Sequence, residues 1–266
     1  QGPIVQVKEK GRPAQILEDR YPGAEWEGAL VIMVNEFSAS ASEIMAAAMQ
    51  DYERAIIIGS KSTHGKGTVQ RFLPLNRTLR DKDIPDLGSI KLTIQKFYRI
   101  NGDATQLKGV QSDVILPDNY MYLETGEKEH EYPLAWDQIN GVKYDKIKTA
   151  VSDKVIKKSQ LRIQNNSTFN LIEENAKRWE EQRENTSFPL KLSTYEAEEI
   201  KEKKEGEKFE QMGKDKIPSF EISNVPSDLV EINAEESRKK RNADWISSVE
   251  KDPYIYEALQ IIEDLN

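Results

Sequence analysis

The first half of the chain places its apolar residues in short runs between glycines and polar turns. Residues 29–34 form a continuous apolar run, which fits a strand buried on both faces as in a parallel sheet. Residues 44–49 are strong helix formers and predict a helix that ends near Tyr52. Residues 55–58 predict a second buried strand, which Gly59 closes. Together these segments predict a β-α-β unit.

Further strands are predicted in the same half, each a β-rich segment bounded by glycine, proline or a turn. They cover residues 67–73, 90–100 and 114–116, with a turn at Asn101-Gly102 and a stop at Pro117. Strands that alternate with a helix in this way indicate a mixed α/β fold.

The second half carries helical periodicity instead. Helices are predicted over residues 152–164 and 167–183. The apolar stripe of the second helix consists of Phe169, Ile172, Ala176 and Trp179. Asp252 and Pro253 predict the N-cap and first turn of a final helix that ends at Leu265.

The region between these helices is less regular. Ser193 and Glu196 are spaced as a capping box for a charged helix that runs to about Phe209. Residues 188–192 predict a short strand, and residues 207–224 predict a loop.

Composition changes near Trp136. Residues 1–136 hold 11 of the 14 glycines and 35 charged residues, whereas residues 137–266 hold 3 glycines and 49 charged residues. Glycine-rich turns suit an α/β unit, and glycine-poor Glu/Lys-rich sequence suits helices. We therefore expect two domains, a catalytic core at 1–136 and a mainly helical extension at 137–266.

Charge and residue content exclude several functions. The net charge of −8 argues against a broad nucleic-acid surface. The absence of cysteine excludes thiol nucleophiles, thiolate metal sites and disulfides. The two histidines, His64 and His130, are too few for a three-histidine zinc site. The first residue is Gln1 and no basic-then-apolar leader follows it, so we expect a fragment of a longer protein.

The first candidate for chemistry is the serine-alanine run SASASE at residues 38–43, between the first buried strand and the helix. A serine at a helix N-terminus lies beside free backbone N–H groups and the positive end of the dipole, which stabilise developing negative charge. The alternative is structural, because Ser40 and Glu43 are also spaced as a capping box.

The second candidate is the glycine-flanked lysine Lys66, in the sequence THGKGTVQ at residues 63–70. A phosphate-binding loop does not fit, because five residues separate Gly59 from Gly65 and Gly67 follows the lysine. The remaining structural alternative is a plain glycine turn with an exposed lysine.

Taken together, the two candidates indicate a catalytic pair, because a neutral lysine activates serine in some hydrolases. A lysine base must shed its proton near neutral pH, and burial beside apolar strands lowers the pKa of a lysine. Such a pairing predicts nucleophilic catalysis, although the residues alone do not choose among Ser38, Ser40 and Ser42.

These motifs resemble the carboxy-terminal processing proteases, and most closely their tail-specific protease branch in Gram-negative bacteria. The resemblance covers residues 2–145 well and the helical remainder more loosely. It is carried by SASASE at 38–43, QD at 50–51, GKGTVQ at 65–70, GS at 88–89, IQKFYR at 94–99, NG at 101–102, KGV at 108–110, Asp113, ETGE at 124–127 and LAWD at 134–137.

The resemblance implies roles for five residues. The family's nucleophile, the middle serine of its run, falls on Ser40, and its general base falls on Lys66. Gln70 matches a glutamine that orients the lysine, and the N–H of Ala41 supplies one oxyanion donor. Asp51 matches an aspartate linked to activity, and we expect it to hold a structural hydrogen bond because an acid at a helix C-terminus opposes the dipole.

Two departures from the family pattern are present. His64 stands where an aromatic residue is common, in a loop about one residue longer than usual, which leaves a Ser-His pairing as an alternative. The family's upstream Leu-Arg-x-Asn-x-Gly-Gly segment, which supplies the second oxyanion donor, and its PDZ domain are absent from this chain. We therefore expect the 266-residue chain alone to be inactive or nearly so.

The resemblance implies an α/β fold of the ClpP/crotonase type, a crotonase-like β-α superhelix, followed by the helical domain. It also implies an ATP-independent serine endopeptidase that cleaves unfolded or tail-exposed proteins with apolar C-termini. No metal or organic cofactor is expected, and no nucleic acid. The implied location is the periplasm of a Gram-negative bacterium, with inner-membrane attachment left open. The competing interpretation is a non-catalytic binding module whose helical domain docks an adaptor protein.

Overall fold

A computed structural model describes residues 1–78, 85–147, 152–209, 217 and 220–266. The chain divides into two compact units. The first consists of Gln1–Ile115 and Glu124–Ser152, and the second of Leu116–Leu123 and Asp153–Asn266. The first unit is mixed α/β and the second is helical, as the hydrophobic pattern predicts.

The described residues of the first unit form one α-helix and two β-sheets. Its elements are β1 (Gly2–Lys8), β2 (Gln15–Asp19), β3 (Val31–Val34), α1 (Ala41–Asp51), β4 (Ile56–Gly59), β5 (Thr68–Pro74), β6 (Ser89–Tyr98) and β7 (Val114–Ile115). One sheet has the order β3-β4-β7 and is parallel, and the other has the order β2-β1-β6-β5 and is antiparallel.

The predicted β-α-β unit is present as β3-α1-β4. The central strand β4 is fully buried, and each isoleucine buried there contributes about 1.5–3 kcal/mol. Strand β3 lies at the edge of its sheet, and Met33 on it is 45% exposed. The prediction that β3 is buried on both faces is therefore wrong at Met33, where the face of the strand is partly open to solvent.

Small side chains bring α1 close to the parallel sheet. Ala46 and Ala47 are buried against Val34, Ala55 and Ile57. An alanine face lets a helix axis approach a sheet closely, so the start of α1 is held firmly at the carboxyl end of β3. This packing fixes the position of the serine run.

The antiparallel sheet contains two strands that sequence reasoning missed. The predicted strands at 67–73 and 90–100 are confirmed as β5 and β6. Strands β1 and β2 were not predicted, because β1 begins with glycine and proline and β2 is almost entirely exposed. The β5–β6 pairing carries a register irregularity between Val69 and Gln70.

The second unit contains six α-helices in its described residues. They are α2 (Asp153–Gln164), α3 (Ser167–Glu184), α4 (Leu192–Glu207), α5 (Leu229–Ile232), α6 (Glu236–Val249) and α7 (Pro253–Leu265). The predictions of α2, α3 and α7 are confirmed, and the Asp252 side chain caps α7 by accepting the N–H groups of Tyr254 and Ile255. In the α3 stripe Phe169, Ile172 and Ala176 are buried, whereas Trp179 is 43% exposed.

Three expectations for the second unit are corrected. Residues 188–192 do not form a strand, since Phe188 and Leu190 project into solvent with no sheet to cover them. The N-cap of α4 is Lys191, so Ser193 lies inside the helix and forms no capping box. Helices α5 and α6 were not predicted. Most of the loop predicted at 207–224 lies outside the described residues.

The composition change at Trp136 falls inside the first unit. Beyond it, the N–H of Ile139 donates to the Gly102 carbonyl at 2.9 Å, and that of Val142 donates to the Ile100 carbonyl at 2.8 Å. These bonds join the segment to the end of β6, although the segment has no regular secondary structure of its own. No helix among the described residues is long and apolar enough to cross a membrane.

Candidate active site

Ser40 occupies a sharp turn between β3 and α1. It is the N-cap of α1, with φ 59° and ψ −112°. A non-glycine residue in this region of backbone space costs about 1–3 kcal/mol and persists only where its surroundings hold it. A strained serine at a strand-to-helix turn is a recurring way to expose a nucleophile at the edge of a sheet.

The buried carboxylate of Glu43 holds this turn against the lysine loop. Its Oε2 accepts the N–H of Ser40 at 2.8 Å and the N–H of Lys66 at 3.0 Å. Its Oε1 accepts the Thr63 hydroxyl at 2.6 Å and the N–H of Gly65 at 2.7 Å. Because one oxygen atom accepts a hydrogen bond from each, the structure brings the backbones of the two predicted catalytic residues together.

The role of Glu43 extends beyond the predicted cap. Its bond to the N–H of Ser40 is the capping-box contact that the spacing of residues 40 and 43 indicates. The other three bonds come from a loop 20 to 23 residues away. Burial raises the pKa of the Glu43 carboxyl above its ordinary 4.5, although these hydrogen bonds act in the opposite direction.

The glycines around Lys66 allow two backbone segments to pack together. Gly65 has φ +86°, and a Cβ there would lie 3.0 Å from the Leu107 carbonyl carbon. A Cβ on Gly67 would lie 2.6 Å from the backbone nitrogen of Gln106. Hydrogen bonds join the same segments, with the N–H of Gly67 donating to Gln106 Oε1 at 2.8 Å. The prediction that these glycines permit a close approach is confirmed, and the partner is residues 106–107.

The lysine loop is also tied directly to the serine run. The N–H of His64 donates to the Ser38 carbonyl at 2.9 Å. This bond and the Glu43 bridge hold the loop from both sides of the serine turn. Lys66 is half-buried there, as is Ser40.

Ala41 is the first residue of α1 and is exposed. The N–H groups in the first turn of a helix have no partner within the helix, and the helix dipole makes them attractive to anions. The Ala41 N–H belongs to this group of donors and is adjacent in sequence to Ser40.

Gln70 lies on β5, four residues beyond Lys66 and just past the register irregularity. Its side chain is exposed, and in the described structure it makes no hydrogen bond to Lys66. The orienting role implied for Gln70 stays a prediction.

Asp51 lies at the opposite end of α1 from Ser40, about 16 Å away at 1.5 Å per residue. Arg99 donates two hydrogen bonds to the buried Asp51 carboxylate, from Nη2 to Oδ1 at 2.6 Å and from Nε to Oδ2 at 3.1 Å. Asn101 adds a third bond to Oδ1 at 3.2 Å. This ion pair ties the helix end to the turn after β6. Arg99 was not singled out in the sequence, where only its place in the IQKFYR motif marks it.

The His64 imidazole faces Glu127. Its Nε2 lies 3.6 Å from Glu127 Oε2, and the ring meets that of His130 at a centroid distance of 6.4 Å. In the described residues no hydrogen bond joins the His64 ring to Ser40. The Ser-His alternative stays open to a direct test.

Two protein-family profiles match the chain. Residues 1–116 match Peptidase family S41, and residues 120–266 match the C-terminal domain of tail specific protease. The first match ends at residue 116 and the second begins at residue 120. This agrees with the structure, in which the first segment of unit one ends at Ile115.

Individual relatives carry related names. A tail-specific protease from Haemophilus influenzae is 38% identical over 239 residues, which make up 85% of this chain and 34% of the relative. A carboxy-terminal-processing protease from Bartonella bacilliformis is 38% identical over 98 residues, or 35% of this chain and 20% of the relative.

Among solved structures, the photosystem II D1 C-terminal processing protease matches with a TM-score of 0.37 and 27% identity, over 43% of this chain and 27% of that chain. The chain spans about a third of the length of the Haemophilus influenzae relative. Its two profile matches together cover nearly all of its residues. We conclude that this chain belongs to the tail specific protease family, whose C-terminal domain matches more than half of it, and that residues 1–116 are similar to Peptidase family S41.

Proposed function

We propose that this chain supplies the serine and the lysine of an ATP-independent serine endopeptidase. Ser40 is the nucleophile and Lys66 is the general base. The observation that carries the proposal is the Glu43 bridge, in which one carboxylate oxygen accepts the backbone N–H groups of both residues. The strained backbone of Ser40 supports it, because strain of this kind concentrates at functional sites.

The proposed reaction follows serine acyl transfer with an amine in place of imidazole. The neutral Lys66 amine takes the proton of the Ser40 hydroxyl as its oxygen attacks the scissile carbonyl. The resulting ammonium then protonates the departing amine, and the substrate's acyl group remains on Ser40. A water molecule, deprotonated by the same amine, hydrolyses the ester and restores both residues.

The developing oxyanion needs hydrogen-bond donors that are already in place. The Ala41 N–H at the start of α1 is one such donor in this chain. We propose that the second donor comes from an N-terminal part like the one that the longer relatives carry. The family resemblance implies a donor segment at that place. Loss of one oxyanion donor costs about 100–1,000-fold in rate, so the proposed reaction depends on both donors.

The remaining roles follow from position. Gln70 lies on the strand that continues from the lysine loop, and we assign it the orientation of Lys66 in the complete active site. Asp51 acts through the Arg99 ion pair and fixes the far end of α1, so its role is structural.

Substrate and setting are proposed from the family. The names of the relatives, tail-specific and carboxy-terminal-processing proteases, support the proposal of unfolded or tail-exposed protein substrates with apolar C-termini. The crotonase-like superhelix, the periplasmic location with or without inner-membrane attachment, and an adaptor that docks on the helical unit stay proposals on the same footing.

The test uses the chain joined to the N-terminal part that its tail-specific protease relatives carry, here called the extended protein. Its substrate is an unfolded protein with an apolar C-terminal tail, and circular dichroism checks the fold of each variant. We expect Ser40→Ala and Lys66→Ala to lower cleavage by at least about 100-fold, the lower limit for loss of acid–base catalysis. Lys61→Ala is the matched control, because Lys61 is an exposed lysine in the same loop.

Three outcomes would redirect the proposal. Cleavage that survives Lys66→Ala but not His64→Ala would establish the Ser-His alternative. Cleavage that survives Ser40→Ala would move the nucleophile elsewhere. An extended protein that binds substrate without cleaving it would favour the binding-module interpretation.

A further inference from the structure

A group of metal-ligand side chains lies outside the proposed catalytic pair. It consists of His64, which precedes the Gly65–Lys66 turn, Glu127 in the short 3-10 turn Glu127–Glu129, and His130, which follows that turn. His64 lies 63 residues before Glu127 in the sequence, whereas Glu127 and His130 are three residues apart, and the proposed mechanism uses none of the three. Among the described residues, this is the one group of three such side chains whose geometry suits a metal ion.

The distances within this group are close to those of a bound ion. The Nε2 atoms of His64 and His130 lie 3.6 and 3.7 Å from the same oxygen, Glu127 Oε2. All three ligand atoms lie within 4.8 Å of one another. A tetrahedral zinc ion with bonds of about 2.0–2.1 Å holds neighbouring ligand atoms about 3.4 Å apart. The present distances are too long for direct hydrogen bonds and slightly wider than a zinc site needs.

Neighbouring groups orient the Glu127 carboxylate for this role. Gln106 Nε2 donates to Glu127 Oε1 at 3.2 Å, which leaves Oε2 facing the two imidazoles. The Glu127 backbone is fixed as well, because its N–H donates to the His64 carbonyl at 2.9 Å. A hydrogen-bonded carboxylate of this kind is typical of metal sites, where outer partners hold the ligands in position.

Burial and charge also suit a cation. The Glu127 side chain is 15% exposed, and in the described structure no lysine or arginine forms an ion pair with it. The His64 side chain is 25% exposed and that of His130 is 63% exposed, so an ion can enter from solvent on the His130 side. Rotation of the His130 ring, which is the freest of the three, would close the remaining gap.

We propose that His64, Glu127 and His130 bind one Zn²⁺ ion, with a water molecule in the fourth position. Two imidazoles and one carboxylate favour zinc and similar transition metals over Mg²⁺, which prefers oxygen ligands. The ion would join the 127–129 turn to His64 in the lysine loop. The site takes no part in the proposed proton transfers, and its test does not depend on peptidase activity.

The test is calorimetric titration of Zn²⁺ into the tag-free 266-residue chain. The chain contains two histidines and no cysteine, so any imidazole-bound metal must use one or both of these residues. We expect one equivalent to bind, and we expect His130→Ala to weaken the affinity by at least about tenfold, since loss of even an outer partner costs 10–100-fold. His130→Ala changes an exposed side chain, so it leaves the fold intact. Glu131→Gln is the matched control, because it removes a neighbouring exposed carboxylate from outside the group.

A second measurement identifies the ligands directly. Co²⁺ in place of Zn²⁺ should give visible absorption typical of tetrahedral coordination in the wild type and in Glu131→Gln, and this absorption should be lost in His64→Ala and His130→Ala. Mg²⁺ at the same concentration should neither bind nor compete. Absence of saturable Zn²⁺ binding, or equal affinity in the wild type and His130→Ala, would overturn the proposal.

Discussion

Helix α1 carries a buried carboxylate at each end, and the two carboxylates have different kinds of partner. At the C-terminal end Asp51 is paired with Arg99 in a bidentate ion pair. At the N-terminal end Glu43 accepts three backbone N–H groups and a threonine hydroxyl. It binds Lys66 through the backbone and, in the described structure, makes no ion pair with the Lys66 side chain.

This difference separates scaffold from site. An ion pair satisfies its arginine and immobilises it, which suits a joint between two elements. A carboxylate held by neutral donors positions the backbone of the lysine loop and leaves the lysine side chain available for chemistry. We therefore expect Asp51 to stabilise the fold and Glu43 to hold the catalytic geometry.

The largest expected effect is on stability at the Asp51 end. Asp51→Asn leaves the Arg99 guanidinium largely buried without its counter-charge, and we expect it to lower the free energy of unfolding by about 3 kcal/mol. Urea unfolding of the 266-residue chain measures this change. The control is Glu53→Gln, which breaks an exposed pair with Lys146 and should cost less than about 1 kcal/mol. Equal losses in the two variants would contradict the structural role of Asp51.

The next effect is on catalysis at the Glu43 end. Glu43→Gln keeps the size of the side chain but replaces one acceptor oxygen with an NH₂ group, which then faces donors that need an acceptor. We expect cleavage by the extended protein to fall by at least about 100-fold, since a misplacement of about 1 Å at a reacting group has a cost of that order. Asp51→Asn should change the rate constant of its folded fraction by much less. A larger rate loss in Asp51→Asn than in Glu43→Gln would reverse the comparison.

A smaller effect concerns pH. Because burial raises the pKa of Glu43 above 4.5, the folded state binds this proton more tightly than the unfolded state does. The contribution of Glu43 to stability therefore decreases as pH rises from about 4.5 through its higher folded-state pKa. The wild type should lose stability relative to Glu43→Gln over this range, at no more than about 1.4 kcal/mol per pH unit. Urea unfolding of both proteins at several pH values checks the sign, and a relative gain by the wild type would contradict it.

The smallest effect is the strain at Ser40. Ser40→Gly relieves a backbone conformation that costs about 1–3 kcal/mol, offset by up to about 1 kcal/mol for the added freedom of the unfolded chain. We expect the variant to be more stable by about 1 kcal/mol and to be inactive in the extended protein. Ser42→Gly, inside the first turn of α1, should instead lose about 0.5–1 kcal/mol. Destabilisation of the same size in both variants would mean that Ser40 is not strained.

The sequence predicts those features of the fold and of the site that depend on local sequence pattern. The β3-α1-β4 unit, the serine run and the glycine-flanked lysine follow from apolar runs and from glycine placement. Glu43 was recognisable only as a cap, because three of its four bonds come from residues 63–66. The Arg99 and Gln106 contacts were not predictable, since each joins residues about 40–50 apart through the tertiary fold.

The most direct test of the central claim is whether Lys66 activates Ser40. The extended protein, its Lys66→Ala variant and its Lys61→Ala control should each be treated with a fluorophosphonate that labels activated serines, and the labelled peptide identified by mass spectrometry. The account predicts label on Ser40 in the wild type and in Lys61→Ala, and its loss in Lys66→Ala with the fold intact. Label on a different serine, or label on Ser40 that persists in Lys66→Ala, would contradict the serine-lysine assignment.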